Sequence, residues 1–505
     1  MTMTGDTAYA GLEAAFRRIG ALADTLGILD WDQATVMPEG SAPARADQIA
    51  MLSVLRHELL TSPAIGEGLD AADSELAAAS GPDADWQRAN LREMRRDYLH
   101  ATAVPADLVE AKARADAACE MRWRTARRDN DYAGLMPSLG DVLRLARESA
   151  AAKAAALDLT PYDALLDSHE PGARSADVDV LFDDLAAFLP DFLARVLDAQ
   201  AAQPAPALPD GPFPVETQRA LGVELMQAVG FDFTRGRLDI SHHPFCGGAT
   251  GDVRITTRYD EADFTSSLMG VLHETGHAMY ELGLPADWRD QPVGKALGMA
   301  IHESQSLLVE MQVCRSRPFL EYAAPRMRAA FGAAGAAWGV DNLHRLYTRV
   351  EPGFIRVDAD EVTYPAHVIL RYRLERALIA GDLTLADLPG AWADGMRELL
   401  GIVPPDDRLG CLQDIHWPSG AFGYFPTYTM GAVAAAQLYA AAQRDEPGLA
   451  DAIARGDFAP LMRWLRTHVH GQGARLSAGE LLTQVTGEPL NPAIFKAHLE
   501  ARYLG

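Results

Sequence analysis

Val271-Leu272-His273-Glu274-Thr275-Gly276-His277-Ala278-Met279-Tyr280 sets two histidines four residues apart, with a glutamate directly after the first. Four residues make about one turn of α-helix, so both imidazoles project from one face, in the His-Glu-x-x-His spacing of a zinc peptidase helix. Glu274 points about 100° around that helix, near enough to reach a water at the metal without being a ligand, which is the general-base position. The context is helical. Asp263 and Thr265 are candidate N-caps, Leu268, Val271, Leu272, Met279 and Leu282 recur at helical spacing, and Gly283 can close the element. With 14 histidines in 505 residues, the motif would arise by chance in roughly one or two such chains per hundred, so its surroundings have to carry the argument.

A catalytic zinc needs a third protein ligand and an open position. The metzincin pattern, with a further histidine six residues on, is excluded because position 280 is Tyr and position 283 is Gly. Instead, Gly298–Met311 reads as a second helix, with Glu303 among Ile301, Leu307, Leu308 and Met311. The interval from His277 leaves room to finish one helix, turn through Pro285 and Pro292, and return antiparallel with Glu303 presented to the metal. Glu310, one heptad further on, reads as a solvated helix-surface residue.

Five more segments narrow the reading: His243-Pro-Phe245, Asp252-x-Arg254-x-Thr256, His302-Glu303-Ser304-Gln305, Ile355-Arg356-x-x-Ala359-Asp360 and Gly410-x-x-Gln413-Asp414-x-His416-Trp417. With Phe425-Pro-Thr-Tyr428 and Leu29–Pro38, their order and spacing resemble the thermostable carboxypeptidase (carboxypeptidase Taq) family of zinc metallocarboxypeptidases over nearly the whole chain. Tyr364-Pro365-Ala366-His367 departs from it, since the family more often has Asn-Leu-His after the tyrosine; Pro365 suits the first turn of a helix. The resemblance implies release of single amino acids from free peptide C-termini, broad side-chain tolerance with reluctance at proline, and a homodimer. Zn2+ is the expected metal; Co2+ or Mn2+ would also suit the ligand set.

Such an enzyme needs a cation that captures the terminal carboxylate, and the planar fork of arginine does this with two parallel hydrogen bonds. Arg356 is the first candidate, with Asp360 on the same segment to orient it. Arg254 is the second. It lies in Asp252–Tyr259, whose alternation of Val253, Ile255 and Tyr259 reads as a strand against which an extended peptide could lie. Tyr428, with Tyr424 as substitute, is the candidate donor to the tetrahedral oxyanion. His242, His243 and His416 are expected to line the cleft, with Gly247-Gly248 bringing backbone close to substrate. His302 is either a hydrogen-bond partner of the site or a solvent-facing residue.

Tyr9 to about Ala156 is rich in Ala, Leu, Arg and acidic residues with few β-branched runs, which predicts long helices. Ala201–Pro214, rich in Pro and Ala, reads as a surface connector. The expected fold is mainly α: one catalytic unit over residues 1–505, with an N-terminal helical lobe (about 1–200) and a zinc-site lobe (about 215–505) around a deep cleft. A small sheet near 237–260 sits beside a gluzincin-like His-Glu-x-x-His helix.

Lys plus Arg is 45 against 70 for Asp plus Glu, a net charge of −25, which disfavours nucleic acid and anionic membrane as partners and leaves peptides as substrates. Met1–Asp6 lacks a leader pattern and no stretch is apolar enough to span a bilayer, so the expected location is the cytoplasm. Cys119, Cys246, Cys314 and Cys411 are scattered and expected to be free thiols, Cys246 as a small buried hydrophobe. Two competing readings remain at this stage. An oligopeptidase-like zinc endopeptidase or dipeptidase would cut C-terminally blocked peptides, and a non-catalytic helical peptide-binding protein would have no use for Glu274.

Overall fold

A computed structural model describes residues 7–77 and 79–505; Met1–Asp6, read above for its lack of a leader pattern, lies outside the described residues. The Ala/Leu-rich N-terminal text folds as α1 (Ala8–Thr35), α2 (Ala42–Leu60), α3 (Pro63–Leu76), α4 (Pro82–Thr102), α5 (Ala106–Asp129), α6 (Tyr132–Leu157), α7 (Pro161–Leu166) and α8 (Ser175–Ala201). Proline marks starts here: Pro63, Pro82 and Pro161 occupy the first helical position, where no backbone N–H is required. Residues 202–214 are free of helix and strand, as the Pro/Ala composition predicts. Tyr9, Leu12, Phe16, Leu69 and Met94 from α1, α3 and α4 close a small core of their own. The buried side chains from Cys119 to Leu499 form one larger core.

After α9 (Val215–Val229) come β1 (Gly236–Ile240), β2 (Cys246–Ala249) and β3 (Asp252–Thr257). The strand order is β1-β3-β2, with β1 parallel and β2 antiparallel to β3. Val253 and Ile255 of β3 are buried, and the strand lies against α10 (Phe264–Gly283). The chain then turns back into α11 (Met299–Leu307), which widens into a π-helical segment, Leu308–Cys314. The remaining helices are α12 (Arg317–Phe331), α13 (Val340–Tyr347), α14 (Tyr364–Ala380), α15 (Leu388–Leu400), α16 (Pro426–Asp445), α17 (Leu449–Ala454), α18 (Ala459–His468), α19 (Ala478–Thr486) and α20 (Pro492–Tyr503). Pro365 falls in the first turn of α14, where its ring is tolerated. The mainly helical architecture with one small sheet beside the His-Glu-x-x-His helix is therefore as the sequence predicts. No described helix is long and apolar enough to cross a membrane.

Two glycines set the spacing around α11. A Cβ at Gly276 of α10 would lie 2.4 Å from the Gln305 carbonyl oxygen and 2.6 Å from Ser306 Cα. A Cβ at Gly431 of α16 would lie 2.8 Å from Glu303 Cβ. Both are closer than any side chain allows, so backbone meets backbone on one flank of Glu303 and backbone meets side chain on the other.

Candidate active site

Asp263 caps α10 by accepting from the Thr265 N–H at 2.8 Å, as its sequence position predicts. The close α10–α11 crossing then carries His273, His277 and Glu303 to one point. His277 Nε2 is 3.3 Å and His273 Nε2 3.9 Å from Glu303 Oε2, and one ligand atom from each residue falls within 4.8 Å of the others. This is a donor set that can hold a divalent cation.

The Nδ1 atoms decide the tautomers. His273 Nδ1 lies 2.9 Å from Glu310 Oε2. His277 Nδ1 faces both the His302 carbonyl oxygen, at 3.1 Å, and His302 Nδ1, at 2.7 Å, while His302 Nε2 lies 2.8 Å from Glu281 Oε1. The consistent assignment has His302 Nε2–H donating to Glu281, and His277 Nδ1–H donating to His302. Both imidazoles then carry a proton on Nδ1 and turn Nε2 toward Glu303. That of His277 is bare, whereas burial opposes charge on His273 but Glu303 and Glu310 raise it to about 10, so a cation there displaces its Nε2 proton. Of the two alternatives left by the sequence, His302 takes the first: it holds His277.

Glu310 corrects the sequence reading. It is buried, accepts from His273 and also takes the Arg315 guanidinium at 2.5 Å. Burial opposes its ionisation, but Arg315 and His273 overcome this and hold its carboxyl below the usual range. A signal was available, because a seven-residue step from Glu303 returns to the same helical face.

Within the triad, burial works against the ionised Glu303, yet the two histidines hold it at about 2. Burial and the facing His302 depress His277 to about 4, keeping it neutral. Glu274 is only 6 % exposed and makes no side-chain hydrogen bond among the described residues. Burial raises it to about 7 against the pull of His273, leaving a carboxylate basic enough to accept a proton near neutrality.

Arg356 stands in a second cluster. Its Nε and NH2 donate to Asp414 Oδ1 at 3.1 and 2.9 Å, and its NH1 reaches the Tyr364 hydroxyl at 3.3 Å. Asp360 does not orient it, contrary to the sequence expectation: one oxygen accepts the Glu351 N–H from the preceding loop and the other the Val362 and Thr363 N–H groups at the start of α14. A short polar residue preceding a helix is drawn to the free N–H groups there. Asp414 also takes Arg371 Nε on its other oxygen, at 2.6 Å. Burial alone would raise Asp414; Arg371 and Arg356 hold it far below the carboxylate range. Two buried guanidinium groups therefore share one carboxylate, and the cluster keeps a net positive charge. Arg371, fully buried over the Trp392 ring, is a residue the sequence reading missed.

Arg356 lies over the Tyr428 ring, 4.9 Å from its centre, and the Tyr428 hydroxyl shares a 3.1 Å hydrogen bond with His416 Nε2. Tyr424 packs edge-on against Tyr428. Tyr428 lies one turn before Gly431 on α16, and Gly431 packs on the Glu303 side chain, so this aromatic cluster stands beside the triad. Arg254 lies on β3, its guanidinium held by Asp252 and stacked on Trp31 at 4.4 Å. His242 and His243 are exposed after β1. Neither Arg254 nor His243 joins the triad or the Arg356 cluster. A cavity of about 590 Å³ opens beside His302 and Glu281 and is lined by Cys246, which sits half-buried on the edge strand β2 and packs against the main hydrophobic core.

The chain matches the carboxypeptidase Taq (M32) metallopeptidase family over residues 11–503. It is 40 % identical to thermostable carboxypeptidase 1 of Thermus thermophilus, with 99 % of each chain covered, and 33 % identical to thermostable carboxypeptidase 1 of Pyrococcus furiosus, with 97 % of each covered. Among solved structures, metallocarboxypeptidase 1 of Trypanosoma cruzi superposes with a TM-score of 0.96 at 40 % identity, covering 99 % of both chains. The M32 carboxypeptidase of Deinococcus radiodurans gives 0.92 at 36 % identity, again over 99 % of both. With motifs, fold and coverage in agreement from end to end, the chain belongs to the carboxypeptidase Taq (M32) family of metallopeptidases.

Proposed function

We propose that this metallocarboxypeptidase releases single amino acids, with broad side-chain tolerance, from the free C-termini of peptides, using zinc held by His273, His277 and Glu303. The donor chemistry fits: two imidazoles whose Nε2 atoms face one carboxylate are a catalytic zinc set with a position left open, His273 giving up its Nε2 proton when a cation binds. When bound, the metal would polarise the scissile carbonyl and acidify the attacking water. Glu274 takes the proton of that water and passes it to the leaving amine. Tyr428, or Tyr424 in its place, donates to the developing oxyanion.

The observation that carries the exopeptidase reading is the buried Arg356–Asp414–Arg371 cluster. A net positive charge under an aromatic lid beside the triad costs free energy unless an anion completes it. The terminal carboxylate of a peptide is such an anion. With that carboxylate on Arg356, the last peptide bond falls toward the triad. We take the working unit to be the whole chain, in two lobes, acting as a cytoplasmic homodimer; the dimer rests on the family resemblance and the location on composition.

Mass spectrometry of N-terminally blocked peptides, with C-terminally amidated twins, tests the reading on zinc-loaded and chelator-stripped protein. Loss of single residues from free C-termini only, abolished by stripping and restored by zinc, supports it. Internal cuts indifferent to amidation would assign the chain an oligopeptidase-like activity instead.

A further inference from the structure

The cavity beside His302 holds an arrangement of charge that the catalytic reading does not use. Arg235, just before β1, and Arg289, in the connection from α10 to α11, converge on the turn between β2 and β3. A Cβ at Gly251 of that turn would lie 3.0 Å from Arg289 NH2 and 3.5 Å from Arg235 NH2. Among the described residues neither arginine makes a salt bridge or a side-chain hydrogen bond, and Lys295 on the same wall is likewise unpaired.

Carboxylates share the lining, but none is in a salt bridge with either arginine. Asp24 accepts from Thr250, Glu281 is taken by His302, and Asp290 pairs with no cation. Arg96, the other cation of the lining, is occupied by Asp167. In a chain of net charge −25, two like charges brought together from separate segments, neither in a salt bridge, form a site for an anion.

Its place relative to the triad says which anion. One end of the cavity is His302, next to Glu303, whereas Arg356, Asp414 and Tyr428 are not part of its wall. A peptide anchored by its terminal carboxylate at Arg356, with its last bond at the triad, therefore sends its upstream residues into this cavity. We infer that Arg235 and Arg289 form a subsite for an acidic side chain upstream of the scissile bond, so that the enzyme favours peptides carrying Asp or Glu there. The inference rests on the orientation proposed above. Gly251, at φ +81°, keeps the turn free of a side chain that would fill the space between the two guanidinium groups.

The test uses N-terminally blocked peptides of one sequence in which a single Glu, or Gln as its neutral isostere, is moved through the positions upstream of the cleaved bond. The expected result is one position at which Glu is favoured over Gln by about two- to fivefold in kcat/KM, mostly through KM, for a contact to two exposed arginines. That ratio should fall toward one in an Arg235→Ala/Arg289→Ala double variant, and for the wild type at high salt. Equal rates for Glu and Gln at every position would overturn the inference, as would a preference that survives both the double variant and salt. Equilibrium binding of the best Glu/Gln pair to the zinc-loaded Glu274→Gln protein, read by fluorescence anisotropy, separates the two proposals. A Glu preference in binding without turnover by wild type would sink the catalytic reading alone, whereas turnover without any such preference would sink the subsite alone.

Discussion

Gly276→Ala puts one methyl group where α10 and α11 touch. The added Cβ would sit 2.4 Å from the Gln305 carbonyl oxygen and 2.6 Å from Ser306 Cα, both backbone atoms that no rotamer change can move. Restoring ordinary contact requires the helices to part by roughly 1 Å. One helix supplies His273 and His277, the other Glu303, so that displacement is taken directly from the 3.3 Å spacing between His277 Nε2 and Glu303 Oε2. Overpacking costs about 1–3 kcal/mol, and replacing glycine in a helix returns about 0.5–1 kcal/mol, leaving a net loss of about 1–2 kcal/mol. Metal sites tolerate only a few tenths of an ångström, so zinc affinity should fall by about tenfold or more. Calorimetric unfolding with and without zinc and a chelator-competition titration measure the two quantities. Gly270→Ala on the same helix is the control: nothing lies within 4 Å of its Cβ, and the change should stabilise the fold by about 0.5–1 kcal/mol. Wild-type zinc affinity and stability in Gly276→Ala, or an equal loss in both variants, would refute the argument that backbone contact sets the triad.

Arg356→Ala should cut kcat/KM on free C-terminal peptides by about 100-fold, the worth of a desolvated charge-assisted contact, while Asp414 stays paired with Arg371 and the melting temperature changes little; a similar loss of binding for amidated peptides would argue against carboxylate capture. Glu310→Gln removes the charge on which His273 Nδ1–H rests and should weaken zinc binding about 10- to 100-fold, read by chelator competition with far-ultraviolet circular dichroism as the check on folding. Glu170, buried and accepting the Ala300 N–H at the start of α11, is raised by burial to about 7. Because its folded value lies above the unfolded one, its contribution to stability is complete below about pH 4.5 and is lost as pH rises through 7, a change on the order of 3 kcal/mol. Glu170→Gln should therefore flatten the stability profile between pH 5 and 8, and denaturant titrations across that range would show the slope unchanged if the reasoning is wrong.

What could be read from the chain divides by the range of the interaction. The long N-terminal helices, the cap at Asp263, the His-Glu-x-x-His face and the return of Glu303 follow from propensity and spacing within a few turns, and all were legible. Recognition of the family added Arg356 and Tyr428 before any contact was known.

The polar groups behind the site were not legible, and the reason is electrostatic. A charged side chain is assigned to solvent unless its partner is visible, and partners need not be near in sequence. Asp360 was a reasonable partner for Arg356 at four residues, yet free N–H groups at the head of α14 claim it, and the carboxylate that serves Arg356 comes from the loop at Asp414. Glu310 shows the same rule at closer range. Seven residues after Glu303 it was bound to face α10, but only the π-helical widening of Leu308–Cys314 and the arrival of Arg315 make burial of its charge affordable. That segment is itself held from far along the chain: Arg502 of α20 donates to the carbonyl oxygens of Met311 and Gln312, and Glu361 takes both Arg502 and His498. The first residues around the metal are thus local in sequence because a helix supplies them, whereas the charges that fix their tautomers are non-local because neutralising a buried ion needs whichever opposite charge the tertiary fold brings to it.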